Sequence, residues 1–215
     1  MHSDAGRDEP GPGLRELDPA AFCAELGALM EVYAAAMHVP PAQLPGRRAV
    51  MESHLGHPAF RAIALTAPLE PARPTRLAGD AVAPGTVIAF SYGFHGTGGQ
   101  WWHDLVRAGV AATAGAAAAE HWLDDSFEVA ELHVRPEYHR RGLGRRLLFT
   151  LTGGRPERTA VLSTMDLDSP ARHLYRGVGF TDLLTGYRFS GADAAYAVMG
   201  AALPLSARLL RSRYW

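Results

Sequence analysis

The sequence contains no lysine and no asparagine, and all 21 of its Lys-plus-Arg positions are arginine. Without lysine the chain cannot form the Gly-x-x-x-x-Gly-Lys-Ser/Thr loop that binds nucleoside triphosphates. Acetylation of its own lysine side chains is excluded for the same reason. Such exclusive use of arginine is typical of coding bias in a GC-rich bacterium and indicates no particular function.

Cysteine is nearly absent as well, because Cys23 is the only one, and an internal disulfide is therefore excluded. The formal net charge is -1, so the chain offers no bulk positive charge to nucleic acid or to a membrane surface. We find no uninterrupted apolar run of membrane-spanning length, and residues 1–13 lack the basic and then apolar order of a secretory signal. We expect a cytoplasmic protein without a nucleic-acid partner, a membrane partner or a metal site.

One domain accounts for most of the 215 residues, of which 47% are hydrophobic. Apolar spacing predicts the order β-α-α-β-β, a helical insertion, and then β-α-β-α-β-β. This order is typical of a mixed α/β (α+β) sheet with helices on both faces, and we assign it to residues 14–203. Residues 1–13 are predicted to be a disordered segment. Residues 204–215 form a basic, aromatic tail, whose Tyr214 and Trp215 could support a homodimer.

The most informative stretch is 128–152, where a β-prone strand runs into a glycine-rich turn and then a helix. The turn contains HRRGLGRR, starting at His139. The first turn of a helix has backbone N–H groups without intrahelical partners and carries the positive end of the helix dipole. Gly142 and Gly144 lack a Cβ, so an anion can approach the backbone, and the arginines add fixed positive charge. These features predict a pyrophosphate site.

Two motifs indicate which pyrophosphate is bound. A dinucleotide fingerprint would need a third glycine at the position of Leu147. The segment 139–144 instead resembles the Arg/Gln-x-x-Gly-x-Gly/Ala acyl-CoA signature of the GNAT N-acetyltransferase superfamily, with His139 at the position of Arg/Gln. A second segment, 168–180, resembles the family's Asn-x-x-Ala-x-x-Leu-Tyr-x-x-x-Gly-Phe, with Asp168 in place of asparagine. As ordinary structure, that segment would be a helix capped by Asp168.

The resemblance implies the GNAT acyl-CoA N-acyltransferase fold and acetyl-CoA as co-substrate. Backbone N–H groups of the glycine-rich turn would hold the pyrophosphate. Backbone groups at the end of the central strand would hold the thioester carbonyl and the pantetheine arm. The cofactor-binding residues expected from the resemblance are Leu132, His133, Val134, His139, Arg140, Arg141, Gly142, Leu143, Gly144 and Arg145.

Acetyl transfer to an amine requires a base that takes a proton from the amine and an acid that protonates the leaving thiolate. The resemblance assigns Tyr175, in the second motif, as the acid. Glu128 and Glu131 on the central strand are the candidate bases. Strict alternation along a strand places Glu131 and His133 on one face and Glu128 on the other, unless a bulge intervenes.

Roughly thirty residues, 96–125, replace the short turn that the family has between its third and fourth strands. This helical insertion is either a lid over the substrate or an extra packing layer. The candidates for acceptor recognition lie at its start, since indoles stack on flat or cationic groups and a carboxylate can pair with an ammonium. Alternatively, the tryptophans anchor the insertion to the core. These candidates are Trp101, Trp102, His103 and Asp104.

The leading hypothesis is an N-acetyltransferase in which a primary amine of a small molecule attacks acetyl-CoA directly. A protein or peptide amine is the alternative acceptor, although the insertion argues against the open groove that it needs. A non-catalytic acyl-CoA sensor is the alternative of another class, suggested by His139 and Asp168 at positions where the family has other residues.

Overall fold

The computed structural model describes residues 11–68, 83, 85–190 and 194–206. The regular elements alternate along this part of the chain in the predicted order. The strands are β1 (Gly13–Leu17), β2 (Arg61–Thr66), β3 (Val87–His95), β4 (Ser126–Val134), β5 (Thr159–Met165), β6 (Thr181–Tyr187) and β7 (Tyr196–Ala202). The helices are α1 (Pro19–Met37), α2 (Leu44–His54), α3 (Trp101–Ala114), α4 (Ala116–Leu123), α5 (Leu143–Thr152) and α6 (Pro170–Gly177).

The strands form one mixed sheet in the order β1-β2-β3-β4-β5-β7-β6. Neighbouring strands are antiparallel except for β4 and β5, which run parallel. The last strand in the chain, β7, lies between β5 and β6, so the closing hairpin adds its second strand to the interior of the sheet. The predicted mixed α/β class is confirmed.

The sheet opens into a V in its middle. The strands β4 and β5 pair only from Ser126 opposite Thr159 to Glu128 opposite Val161. Both continue past this point, to Val134 and to residue 165, without further pairing between them in the described residues. Backbone groups of β4 that face the gap are therefore available to another partner, since backbone N–H and C=O groups need one.

A β-bulge interrupts β4 beside this gap. Tyr92 of β3 pairs with Glu131, and the next residue, Gly93, pairs with Val129, which leaves Ala130 as the extra residue. The two strands approach very closely here, because a Cβ on Gly93 would lie 2.3 Å from the carbonyl oxygen of Glu128.

The bulge changes which side chains share a face. One extra residue shifts the alternation of a strand by one, so Glu128 and Glu131 point to the same side of the sheet, together with His133. Phe127, Val129, Leu132 and Val134 point to the other side, into the core against α5. The exception for a bulge therefore applies, and strict alternation, which would separate the two glutamates, does not hold across Ala130.

Helices cover both faces of the sheet. On one face, α5 and α6 bury their apolar side chains against β2 to β5 and β7. On the opposite face, α1 and α2 cover the β2–β3 half. The helices α3 and α4 cover the half formed by β5, β6 and β7. The two pairs of helices therefore lie side by side on one face, with β4 beneath the space between them.

The insertion 96–125 forms this second pair. It breaks at Gly115, whose φ of 90° is in the left-handed region that favours glycine. The side chains of Val106, Val110 and Leu123 are fully or almost fully buried against the sheet. Trp122 packs on β7 so closely that a Cβ on Gly200 would lie 2.7 Å from its ring. Of the two interpretations of the insertion, the extra packing layer describes most of it.

Helix α1 begins after a capping aspartate. Asp18 caps it by accepting a hydrogen bond from the Ala21 N–H at 2.8 Å. By length and composition α1 qualifies as a membrane span, with a mean hydropathy of 1.4, although Glu25 and Glu31 interrupt its apolar sequence. Its buried side chains pack against the sheet as those of a core helix do. They are Phe22, Leu26, Leu29, Met30 and Val32.

Three further expectations concern the ends of elements and of the chain. Ser169, and not Asp168, caps α6, because its Oγ accepts a hydrogen bond from the Arg172 N–H. Gly13 is already part of β1, whereas residues 1–10 of the predicted N-terminal segment lie outside the described residues. Residues 207–215 do as well, and the homodimer suggested by Tyr214 and Trp215 therefore stays a prediction.

Candidate active site

The glycine-rich turn lies between the end of β4 and the start of α5. Gly142 is the N-cap of α5 with a φ of 73°, and Arg140 also has a left-handed φ of 61°. Left-handed residues in such a turn are typical of concavities in which consecutive N–H groups bind an anion. A Cβ on Gly142 would meet nothing within 4 Å, so the space beside this residue is open. At Gly144 a Cβ would lie 3.1 Å from Leu174, so this glycine also serves close packing.

The side chains of the turn divide into exposed charges and internal supports. Arg140 and Arg141 are exposed, and Arg141 lies over the Tyr138 ring at 5.0 Å. Arg145 packs on the Phe149 ring at the same distance. His139 donates from Nε2 to the carbonyl oxygen of Val134 at 2.9 Å, so its side chain closes the turn against the end of β4.

Tyr175 lies in α6 on the other side of the V, where it is buried and packs against Phe180. Burial raises the pKa of its hydroxyl to about 12, so the group keeps its proton at neutral pH. Within the described chain no hydrogen bond to this hydroxyl is present. Helix α6 is fixed by the buried Arg172, which forms ion pairs with Asp166 and Asp182.

The two strand glutamates have different surroundings, although they face the same side. Glu131 forms an ion pair with Arg47 of α2 and a hydrogen bond with His133. The guanidinium of Arg47 also lies 5.4 Å from the Tyr33 ring centre. Burial and the nearby Arg47 charge lower the pKa of His133. Glu131 is therefore already paired with a positive charge.

Glu128 is buried without such a partner. Glu128 is only 6% exposed. Among the described residues, none forms an ion pair or a hydrogen bond with its carboxyl group. Burial raises the pKa of this carboxyl to about 8. A carboxyl group with a pKa near neutrality can take up and release a proton during turnover, as a general base must.

Glu128 lines a cavity of about 250 Å³ between α2 and the start of α3. The walls are mostly aromatic or imidazole rings, and Glu128 is the one carboxylate among the residues that line it. They are Ser53, His54, His57, Phe94, Gly99, Gln100, Trp101, Trp102 and Glu128.

The four predicted acceptor residues separate into two pairs. Trp101 and Trp102 line the cavity, and Trp101 is 60% exposed. Trp102 also anchors the insertion, because its Nε1 donates to Ser163 Oγ at 3.1 Å. His103 is buried with Nε2 3.1 Å from the Leu123 carbonyl oxygen, and Asp104 accepts from the Gly99 N–H at 3.0 Å. This second pair is absent from the cavity lining and holds the insertion together.

Sequence reasoning missed the residues that α2 contributes. His54 is the last residue of α2, and His57 lies in the turn that follows it. Their rings stack with centres 5.3 Å apart, and His54 Nδ1 lies 3.0 Å from the hydroxyl of Tyr92. Burial, aided by the charges of His57 and Arg47, lowers the pKa of His54 to about 4, so its ring is neutral at pH 7.

Comparison with known proteins identifies the family of the chain. The family model for the acetyltransferase (GNAT) domain matches residues 99–182. The chain is 34% identical over 202 residues to the GCN5-like protein acetyltransferase Rv2170 of Mycobacterium tuberculosis, with 89% of this chain and 98% of that protein covered. The chain therefore belongs to the GNAT acetyltransferase family. It is an acyltransferase that uses acetyl-CoA.

Solved structures share the fold at low sequence identity. The ribosomal-protein-S18-alanine N-acetyltransferase of Escherichia coli matches with a TM-score of 0.56 and 16% identity, covering 95% of this chain and 100% of that one. The PaiA N-acetyltransferase of Thermoplasma acidophilum, solved with coenzyme A, matches with a TM-score of 0.52 and 12% identity, covering 89% and 99%. These likenesses confirm the predicted fold.

Proposed function

We propose that the protein transfers the acetyl group of acetyl-CoA directly to a primary amine, with Glu128 as general base and Tyr175 as general acid. In this proposal Glu128 takes a proton from the amine as its nitrogen attacks the thioester carbonyl. The N–C bond forms, the C–S bond breaks, and the Tyr175 hydroxyl supplies the proton for the thiolate.

The observation that carries this proposal is the difference between the two glutamates that the bulge places on one face. Glu131 would have to leave Arg47 and His133 before it could act as a base. Removing one partner of a buried ion pair costs about 3–5 kcal/mol, and less here because the Arg47 side chain is 32% exposed. Glu128 has no such bond to break, and it faces the cavity.

The glycine-rich turn fits the pyrophosphate of the co-substrate. The space beside Gly142 is open, the first-turn N–H groups of α5 have no intrahelical acceptors, and Arg140 and Arg141 are exposed beside them. We propose that residues 140–145 hold the diphosphate and that 132–134, at the edge of the V, hold the pantetheine arm. His139 would act by closing the turn and not by contacting the phosphates.

For the acceptor we propose a compact primary amine of a small molecule. The cavity is small, has aromatic walls and presents one carboxylate, which suits a single amino group on a flat or apolar body. We propose that Trp101 and Trp102 contact this body. His103 and Asp104 would contribute by holding the start of the insertion in place.

A protein amine is the second candidate acceptor, favoured by one specific observation. The mycobacterial relative is named a protein acetyltransferase. Trp101, largely exposed at the cavity, could contact the chain around a lysine or an N-terminus. The unpaired carboxylate of Glu128 and the available Tyr175 hydroxyl argue against a sensor that binds acetyl-CoA without turnover.

We propose that the reaction takes place in the cytoplasm.

The test is release of free coenzyme A from acetyl-CoA with three panels: small aromatic and aliphatic monoamines, aminoglycosides, and lysine or N-terminal peptides. We expect turnover with monoamines. The variant Glu128→Gln should lower kcat by about 100-fold or more, the range of general base catalysis. Glu120→Gln, an exposed glutamate on α4, is the matched control and should keep the wild-type rate.

Two outcomes would contradict the proposal. Turnover confined to peptides would replace the small-molecule acceptor with a protein one. A Glu128→Gln variant with wild-type kcat, beside an inactive Glu131→Gln variant, would move the base to Glu131.

A further inference from the structure

The proposed reaction must release one proton per turnover from a buried site. An acceptor that binds as R–NH3⁺ loses two protons when it becomes the amide R–NH–CO–CH3. The thiolate takes one of them, supplied through Tyr175, and the other leaves as H⁺. This second proton is held by Glu128, whose residue is 6% exposed, so a path to solvent is needed.

His54 is the titratable group best placed for that path. It lines the same cavity as Glu128 and is the last residue of α2. In the neutral tautomer that this role uses, Nδ1–H donates to the hydroxyl oxygen of Tyr92 at 3.0 Å, which fixes the orientation of the ring and leaves the lone pair of Nε2 free to accept a proton. Tyr92 itself is fully buried, and burial raises the pKa of its hydroxyl, so it stays protonated. Nε2 of His54, which has no hydrogen-bond partner among the residues described, is left to exchange a proton.

The position of His54 also connects the cavity to the surface. His54 and His57 are both only half-buried, and their rings stack at 5.3 Å with 30° between the planes. Glu128, by contrast, is almost completely enclosed. A proton that reaches the imidazole pair is therefore already at the edge of the protein.

We propose that His54 carries the proton of Glu128 from the acceptor cavity to solvent. This proposal rests on the proposed function. Glu128 passes its proton to Nε2 of His54, directly or through one water in the cavity. His54 then releases it to solvent, and Glu128 returns to the ionised form for the next acceptor. Tyr92 is a positioning residue, because it holds the ring and does not itself change protonation.

The acidity of the two groups is compatible with this role. A pKa of about 8 for Glu128 and about 4 for His54 means that the proton resides on the imidazole roughly once in 10⁴ times. With a prefactor of about 6 × 10¹² s⁻¹, that fraction sets an upper limit of roughly 6 × 10⁸ s⁻¹ on the transfer rate, far above a typical kcat of about 10 s⁻¹. The low pKa then makes release to water fast.

The test compares His54→Gln with His121→Gln, an exposed histidine on α4, at low buffer concentration and with added imidazole. We expect His54→Gln to lower kcat about 10- to 100-fold, with KM for acetyl-CoA unchanged, and imidazole to restore the rate in a saturable manner. His121→Gln should match the wild type. Tyr92→Phe is the second variant. It should lower kcat less than His54→Gln does, and imidazole should restore its rate as well. If His54→Gln does not fold, the result for Tyr92→Phe tests the role of His54.

Two results would overturn the role of His54. One is a kcat within twofold of wild type in both variants. The other is a loss that imidazole does not restore, which would indicate a structural role. Wild-type protein that acetylates no amine at all would instead refute the proposed function, and with it this proposal, so the two failures are distinguishable.

Discussion

Replacement of Glu128 by glutamine should stabilise the protein while it abolishes activity, and the gain should grow with pH. Burial raises the pKa of this carboxyl from 4.5 to about 8 in the folded protein. Between these pH values the unfolded chain releases the proton and the folded chain keeps it. The free energy of unfolding therefore falls as the pH rises, because a buried carboxylate is less stable than a buried carboxylic acid.

The magnitude follows from the two pKa values. Each pH unit between 4.5 and about 8 costs roughly one to two kcal/mol, so the loss is about 1 kcal/mol at pH 5.5 and reaches several kcal/mol above pH 8. Glutamine has nearly the shape of the protonated acid and does not titrate. The difference in free energy of unfolding between Glu128→Gln and wild type should therefore rise from near zero at pH 4.5 to several kcal/mol at pH 8.5.

Urea denaturation of both proteins at pH 5.5, 7.0 and 8.5 measures this difference. Glu120→Gln on the surface of α4 should show no such trend. In parallel, kcat/KM of the wild type should rise about tenfold per pH unit up to about pH 8, since only the ionised Glu128 is a base. A stability difference that does not change with pH would show that Glu128 is not a desolvated carboxyl, and the reasoning about the base would be refuted.

Three further predictions test the turn, the acid and the bulge. Gly142→Asp should abolish the increase in Tm that coenzyme A causes. Gly154 is also left-handed and beside open space, and the control Gly154→Asp should keep this increase. Equal increases in Tm for the two variants would exclude the turn as the phosphate site. Tyr175→Phe should lower kcat about 10- to 100-fold with unchanged affinity for acetyl-CoA by calorimetry, and an unchanged kcat would remove its role as acid. Gly93→Ala should lower the free energy of unfolding, measured by urea denaturation, by about 2 kcal/mol or more, because the added Cβ would clash with the β4 backbone. The control Gly46→Ala, in α2, should leave this free energy unchanged or raise it.

Local patterns predicted the order of elements and the glycine-rich turn well. Helix α5 ends at Thr152, where the predicted stretch 128–152 ends, because it buries one continuous apolar face. The glycines of the turn lie within a few residues of each other, so their signal is local. The resemblance to the GNAT motifs then predicted how these elements assemble into a fold. Apolar periodicity alone does not predict that assembly.

The surroundings of the two glutamates could not be predicted in the same way. The bulge at Ala130 depends on the pairing of β4 with β3, where Gly93 permits a close approach across more than thirty residues of chain. The partner of Glu131 is Arg47, on a helix far away in sequence, and no local pattern distinguishes this arginine from the others. His54 and His57 did carry a signal, since two histidines three positions apart near a helix end can share one wall of a site.

The extra helices between β3 and β4 have a consequence for how the enzyme can change. Helices α3 and α4 cover half of the sheet on that face through side chains such as Val106, Val110 and Leu123, and Trp101 begins the same segment at the edge of the proposed acceptor cavity. Trimming this segment to a short turn would leave Val161 and Val198 in water. A shift in acceptor preference through this segment is therefore constrained by folding, and new specificities are easier to reach from the α2 side of the cavity.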